Sequence, residues 1–362
     1  MTTPAQFYVD FGDLASWIAA ADLHRAQQET GQAVIWRAVP PLLSPELVQR
    51  GDPAWSEVRW ERLDEQRRRR AEALGLLGEL PTEGEATRRA RAWMNAAPEA
   101  ERPALTLTLF ESLALGKTPP EPPNPGEPRL PPEVYALPAF LHDERVLCAE
   151  AGLRLAVATL GGRTYAPSPP VAPTGEVIEV FHDIASPFAY LAVEVLPALA
   201  AARGLRIHWR PILLGALFRA IGNPLIPVFA MPPGQQASMF TGLTDWAAYW
   251  GVPFTFPACF PVRSVLPMRV SFVAPEANLA LYRALWTRGE DVGQPEVVAA
   301  VLRAEGLDAE AILHAAESRN VKDIIRYNTE DAQSRGVCGV PTIIRADGAR
   351  WWGQDLLFDG LR

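Results

Sequence analysis

The sequence predicts an α/β protein of two tandem β-α-β units, each carrying a helical insert. Three observations carry that expectation. First, an apolar run from Val177 to Phe181 is followed by a tight turn at Asp183–Ser186 and then by apolar residues at helical spacing, Leu191, Val195 and Leu199. This reads as strand, turn and helix. Second, Phe7 to Leu43 resembles Val180 to Ala216 without gaps. Asp10, Leu23, Gly31, Trp36 and Arg37 fall on Asp183, Leu196, Gly204, Trp209 and Arg210, each pair 173 residues apart, and a fixed offset over a whole β-α-β stretch indicates duplication. Third, two proline clusters punctuate the chain, one around Pro119–Pro125 and one at Pro167–Pro173.

In chain order, Phe7–Leu43 reads strand, helix, strand. From Asp52 to about Gly116 the chain is charged and helical, with Trp60–Leu80 the strongest piece. A proline-rich loop of extended character follows. Helix is expected to resume over Pro132–Ala151. Leu153–Leu160 and Arg163–Tyr165 read as two strands around Gly161-Gly162. The segment 166–175 reads as a proline-rich linker between a first domain at 1–165 and a second at 176–362. The second domain is expected to run strand 177–183, helix 187–203, strand 205–210, a helical insert over 212–335, strands 342–345 and 350–352, and a short helix after Gln354. The insert's helices are placed at Leu214–Ile221, Ser238–Trp250, Glu276–Thr287, Pro295–Glu305, Ala309–Ala316 and Val321–Arg335. That order, β-α-β, helices, β-β-α, is the order of a thioredoxin-like fold.

Composition narrows the functional classes. The 362 residues carry a net charge of −8, with 48% hydrophobic and 21% charged residues, ordinary for a globular protein with a full core. No basic face suited to nucleic acid is evident. The run Arg67–Arg70 lies among Glu61, Asp64, Glu65 and Glu72 and reads as a solvated helix face. No apolar run is long enough to span a bilayer, and the start of the chain does not read as a signal peptide. Cys148, Cys259 and Cys338 are isolated, without metal-ligand or CxxC spacing, so a reducing cytoplasm is the expected compartment.

The residues of the second half carry a resemblance. Asp183-x-x-Ser186-Pro187-Phe188-x-Tyr190-Leu191, Gly222-Asn223-Pro224, Phe260-Pro261 with Arg269 downstream, Asn328-Thr329-Glu330-x-Ala332, Gly336-Val337-x-Gly339-Val340-Pro341-Thr342 and Trp352-Gly353-Gln354-Asp355 occur in this order. Together they are similar to the kappa-class glutathione transferases and 2-hydroxychromene-2-carboxylate isomerases, glutathione enzymes related to the DsbA disulfide oxidoreductases. The resemblance covers roughly Glu176–Arg362. It implies a DsbA-like thioredoxin domain, and the repeat implies a degenerate first copy.

Ser186 is the expected catalytic residue: its hydroxyl, at a helix N-terminus, would donate to the glutathione sulfur and favour thiolate. The plainer reading is a helix cap. Val340-Pro341 resembles a cis-proline turn whose Val340 backbone pairs with the extended peptide; the rival is a trans proline at a strand start. By resemblance Gln354 and Asp355 hold the γ-glutamyl end, with Asp355 on its ammonium group, and Asn223 contacts the peptide backbone. Ordinary capping and turn roles are the rivals. The chain departs from the resemblance where Gln235 and Gln236 replace an expected lysine; between Glu176 and Arg362 the only lysine is Lys322. Arg263 stands where an Asn is common. Trp246, Trp250, Phe254, Phe256 and Phe260 are read as core.

In the first copy, Asp13-Leu14 replaces Ser186-Pro187. An aspartate caps a helix as well as serine does but repels a bound anion. With no equivalent of Val340-Pro341 found along Leu153–Val157, that copy is expected to be inactive.

The function so implied is a glutathione-dependent isomerase or transferase acting on a hydrophobic, aromatic-derived small molecule. In the implied isomerisation a thiolate adds to the substrate, a ring opens, a bond rotates and elimination returns the thiol. Glutathione is the only cofactor implied, and no metal is needed. An intrachain pseudo-dimer or a homodimer is the expected assembly. The alternatives are a thiol–disulfide oxidoreductase-like protein lacking redox cysteines, since Ser186 and Asp13 occupy the nucleophile positions, and a non-catalytic scaffold.

Overall fold

The computed structural model describes residues 5–39, 56–81, 84–122, 139–142, 145–231 and 233–361. The chain forms two compact units, and neither is one continuous stretch. One comprises Met1–Asp52, Leu63–Thr164 and Ala237–Gly242; the other comprises Pro53–Arg62, Tyr165–Gln236 and Leu243–Arg362. The segment 165–175 is fastened within the second: Tyr165, Val171 and Thr174 donate backbone N–H groups to the carbonyls of Tyr249, Ala201 and Gly204. No helix among the described residues is long and apolar enough to cross a membrane.

The first unit runs β1 (Ala5–Val9), α1 (Leu14–Thr30), β2 (Val34–Ala38), α2 (Glu57–Ala73, whose start belongs to the second unit), α3 (Glu85–Ala96), α4 (Arg102–Ala114), β3 (Ala139–His142), β4 (Arg145–Cys148) and α5 (Ala149–Thr159). Its sheet order is β2-β1-β3-β4. Trp17 stacks on Phe110 at 5.7 Å and Phe7 meets Trp36 edge-on, so α1 and α4 bury their apolar faces in one core with the sheet.

The second unit runs β5 (Val177–His182), α6 (Pro187–Ala201), β6 (Arg206–Pro211), then α7 (Leu214–Ala220), α8 (Pro227–Ala230), α9 (Pro233–Trp250), α10 (Val265–Val273), α11 (Asn278–Trp286), α12 (Pro295–Ala304), α13 (Ala309–Ala316) and α14 (Arg319–Ser334), and closes with β7 (Thr342–Ile344), β8 (Arg350–Trp352) and α15 (Leu357–Gly360). Its sheet order, β6-β5-β7-β8, has the same pattern.

The two sheets also share pairing sense and register. Phe7 lies opposite Trp36 on a parallel strand and Phe140 on an antiparallel one. Val180, 173 residues on, lies opposite Trp209 and Ile343 in the same senses. The turns repeat as well. Asp10 Oδ1 accepts from Gly12 N and Asp183 Oδ1 from Ala185 N, each at 2.9 Å. Both first helices end beside a glycine in the left-handed region, Gly31 and Gly204, each with φ 68°.

Several expectations need correction. The stretch 153–160 is helix, not strand: α5 is alanine-rich, and Leu153, Ala156 and Leu160 line one buried face at helical spacing. The strands lie earlier, at β3 and β4, where helix was expected; residues 132–138 of that expected helix lie outside the described residues. Ala139 pairs with Tyr8 as Thr342 pairs with Phe181; the residues ahead of β3, where an equivalent of Val340-Pro341 would be sought, lie outside the described residues. Helix α2 stops at Ala73, ahead of Gly75 at φ 73°. Helix α9 begins at Pro233 rather than Ser238, and α10 was not expected at all, because Pro267 and the β-branched valines around it mask a helical signal.

A charged network fastens β6 to α14. Arg210 donates to Asn328 Oδ1 at 3.2 Å, Asp331 Oδ2 at 2.8 Å and Glu179; Arg335 also pairs with Glu179 and Asp331. Burial alone would raise the Glu179 carboxyl, but the two arginines outweigh it and hold it below its ordinary value. Arg210→Met should destabilise the protein by about 2 kcal/mol, because it removes one of the two cations shared by the partly buried Glu179 and Asp331 and leaves Asn328 Oδ1 without this donor. Urea unfolding of wild type and variant reads this directly; an unchanged midpoint would refute it.

Candidate active site

The turn from β5 into α6 presents Ser186 as the N-cap of α6, 4% exposed. Its Oγ accepts from Ala189 N at 3.2 Å and donates to Val340 O at 3.2 Å. Pro187 follows at the first helical position, where its missing N–H costs nothing. The Val340–Pro341 bond is cis. Pro341 O accepts from Gly353 N at 3.0 Å, which ties the 353–355 turn to the proline. Glycine is required at 353: φ is +119°, and a Cβ there would lie 2.4 Å from Asp355 Oδ1.

The structure thus joins Ser186, Val340 and Pro341 directly, and brings Gln354 and Asp355 beside them through Gly353. Gln354 is buried and its Oε1 accepts from Trp250 Nε1 at 2.8 Å, so its carbonyl end positions the aromatic layer. Asp355 is half-buried at the head of the last turn. Asn223 is tied into other contacts: its Oδ1 accepts from Ser56 N at 2.7 Å and its own N–H donates to Phe218 O.

Behind the turn sits a buried polar group whose role the motif spacing did not reveal. Asp183 is fully buried and accepts from Ala185 N at 2.9 Å, Leu214 N at 2.7 Å and Ser264 Oγ at 3.1 Å. It therefore clamps the Ser186 turn to the starts of α7 and α10. Burial raises its carboxyl to about 6 against the opposing pull of those three bonds. Next to it His182 lies 3.2 Å from the Tyr282 hydroxyl through Nδ1, and burial lowers its pKa to about 3, so it stays neutral. Tyr190 donates to Pro253 O at 2.6 Å. Burial raises its phenol to about 12.

The aromatic residues divide. Trp246 and Trp250 are core, as expected. Phe254, Phe256 and Phe260 are only half-buried, a correction to their reading as core; they gather around Trp286 at 6.1, 5.7 and 6.2 Å. The Trp286 indole donates to Ile184 O at 2.8 Å, two residues before Ser186. Phe229, 61% exposed, meets Phe260 edge-on. A half-open aromatic wall is therefore hydrogen-bonded to the serine turn. Cys338 is buried, and burial raises its thiol to about 12; Cys259 is also raised by burial. Neither has the depressed pKa of a reactive thiolate. Among the described residues no group of three or more His, Cys, Asp or Glu side chains is placed to hold a metal ion.

A strand-turn-helix carrying a capped hydroxyl against a cis-proline is the arrangement of a thioredoxin-type domain, and the profile of the DSBA-like thioredoxin domain matches residues 177–359. The chain belongs to that family. It is 32% identical over 189 residues to the 2-hydroxychromene-2-carboxylate isomerase of Pseudomonas putida, spanning 50% of this chain and 91% of that protein. It is 28% identical over 190 residues to glutathione S-transferase kappa 2 of Caenorhabditis elegans, spanning 49% of this chain and 84% of that protein. A solved structure of a 2-hydroxychromene-2-carboxylate isomerase aligns at 29% identity over 51% of this chain and 91% of that chain, with a TM-score of 0.46.

Proposed function

We propose that the second unit is a glutathione-dependent isomerase or transferase for a hydrophobic, aromatic-derived substrate, of the kind its relatives' names describe. The observation that carries this reading is the Ser186 hydroxyl set 3.2 Å from Val340 O beside the cis-proline. The residues fit an extended tripeptide thiol. Val340 is 4% exposed, and among the described residues none accepts a hydrogen bond from its N–H. A buried donor of this kind wants a partner, and an extended peptide backbone supplies one by strand addition.

Glutathione, when bound, supplies a thiol nucleophile. Ser186 has one hydroxyl proton, and turning it from Val340 O toward a sulfur anion exchanges a neutral acceptor for a charged one, the stronger bond. The N-terminus of α6 adds its dipole in the same direction. By the family resemblance, Asp355 would hold the tripeptide's ammonium group. Phe260 and Phe229 offer the apolar surface for the co-substrate. With serine at the turn, and with the thiols of Cys259 and Cys338 both raised rather than activated, thiol–disulfide exchange is the weaker reading.

The first unit we read as a duplicate of the second. The support is the shared strand order, pairing sense and register at a constant spacing of 173 residues. At its helix start Asp13 accepts from Ser16 N at 2.8 Å, so the cap is kept but the site is anionic and unsuited to a thiolate.

Titration calorimetry of the full chain with glutathione tests the proposal. Saturable binding is expected, with thiolate absorbance near neutral pH. Absence of both would leave the scaffold reading.

A further inference from the structure

Two side chains from the helical insert hold the backbone of Ile184, the buried residue two places before Ser186. Its N–H donates to Met268 Sδ at 3.2 Å, and its carbonyl accepts from Trp286 Nε1 at 2.8 Å. The turn closes on itself one step further, where Ser186 N donates to Asp183 O at 3.0 Å. The Trp286 bond therefore anchors to α11 the same turn that aims the Ser186 hydroxyl. A buried carbonyl without its donor is costly, so the turn is expected to shift when that N–H is lost.

The ring of Trp286, itself fully buried, carries the aromatic wall. Phe254 stacks on it at 6.1 Å with 13° between the planes, Phe256 meets it edge-on at 5.7 Å, and Phe260 lies 6.2 Å away. The main chain adds a tie, since Trp286 O accepts from Thr255 N at 2.7 Å. The start of this strip is also pinned to α6: Tyr190 donates to Pro253 O at 2.6 Å and stacks with Phe254 at 6.5 Å. All three phenylalanines keep an exposed part. An indole combines one edge donor with a large apolar body. Here the donor serves the serine turn and the body serves the wall.

We infer that Trp286 is a positioning residue of this site, setting the aromatic ring of the co-substrate against the sulfur held by Ser186. This rests on the function proposed above. One rigid side chain fixes both halves, and an error of about 1 Å between reacting groups can cost about a hundredfold in rate. The wall is tied to the turn only two residues from Ser186. The co-substrate it selects is therefore a planar aryl group joined close to its electrophilic carbon.

The test uses the full chain and two readouts. Calorimetry compares S-benzylglutathione with S-methylglutathione, which lacks the phenyl ring. Wild type should bind the benzyl compound roughly tenfold more tightly, in line with burying most of one aromatic side chain. Thiolate absorbance of the glutathione complex, titrated against pH, reads the turn. Trp286→Phe keeps a ring but loses the N–H. Its thiol midpoint should rise by about one unit, with the benzyl preference held within about threefold of wild type. Phe260→Ala, at a half-buried position, should do the reverse: a preference cut to about threefold or less, and an unmoved midpoint. Equal binding of the two conjugates by wild type overturns the inference and needs no variant to fold. An unmoved midpoint in folded Trp286→Phe, or one moved as far by Phe260→Ala, overturns it too. If wild type binds neither conjugate nor glutathione, the glutathione reading itself fails, which is a different result from binding without preference.

Discussion

Ser186→Ala should lower glutathione-dependent turnover by roughly a hundredfold, with the protein still folded. The hydroxyl has two duties, and they separate in this variant. As the cap of α6 it satisfies Ala189 N, and losing that costs about 1 kcal/mol of stability. As a donor to sulfur it stabilises the anion relative to the neutral thiol, and a bond to a charged group is worth about 1.5–3 kcal/mol. The second loss appears as a higher thiol pKa in the complex. A pH titration of thiolate absorbance should show the midpoint rising by about 1–2 units in the variant, since each unit is about 1.4 kcal/mol. A variant with full turnover and an unmoved midpoint would reduce Ser186 to a helix cap.

Asp183→Ala should carry the largest stability loss of any single change near the site, about 3 kcal/mol at pH 7. It strands the backbone N–H groups of half-buried Ala185 and Leu214 and the Ser264 hydroxyl, each costing about 1–3 kcal/mol, partly offset because a buried charge is removed. The loss depends on pH in a defined direction. The carboxyl is raised to about 6 from its ordinary 3.8, so the folded state holds its proton more tightly than the unfolded chain does. The stability this linkage contributes is fully present below the unfolded value and is lost as pH rises through about 6. The gap between wild type and Asp183→Ala should therefore widen, by about 2 kcal/mol, as pH falls from 7 to 4. Urea unfolding at both pH values measures it; a gap that narrows on acidification would show that Asp183 is not the group titrating.

Much of this could be read from residue order. The Ser186 cap, the strand on either side of Trp209 and the helices of the insert follow from local spacing and capping chemistry, which act over a few residues. What local spacing misreads is instructive. Leu153–Val157 alternates in hydropathy like a strand, yet its alanines and the 153/156/160 face make it helix. Helix α10 hides behind Pro267. The clamp made by Asp183 needs Leu214 and Ser264, which come from 31 and 81 residues away; no window along the sequence contains all three.

The upstream piece in the second unit has a practical corollary. A shortened chain starting after the proline-rich stretch would keep every family motif and the whole second sheet, yet it would leave the Asn223 amide oxygen and the Gly336 carbonyl without the donors Ser56 and Arg62 now provide. The Pseudomonas putida isomerase, whose match to this chain already takes in 91% of its own length, has little room for such a segment. Trimming to the recognisable half would thus cut away part of the second unit, and the behaviour of such a fragment would say nothing about the intact molecule.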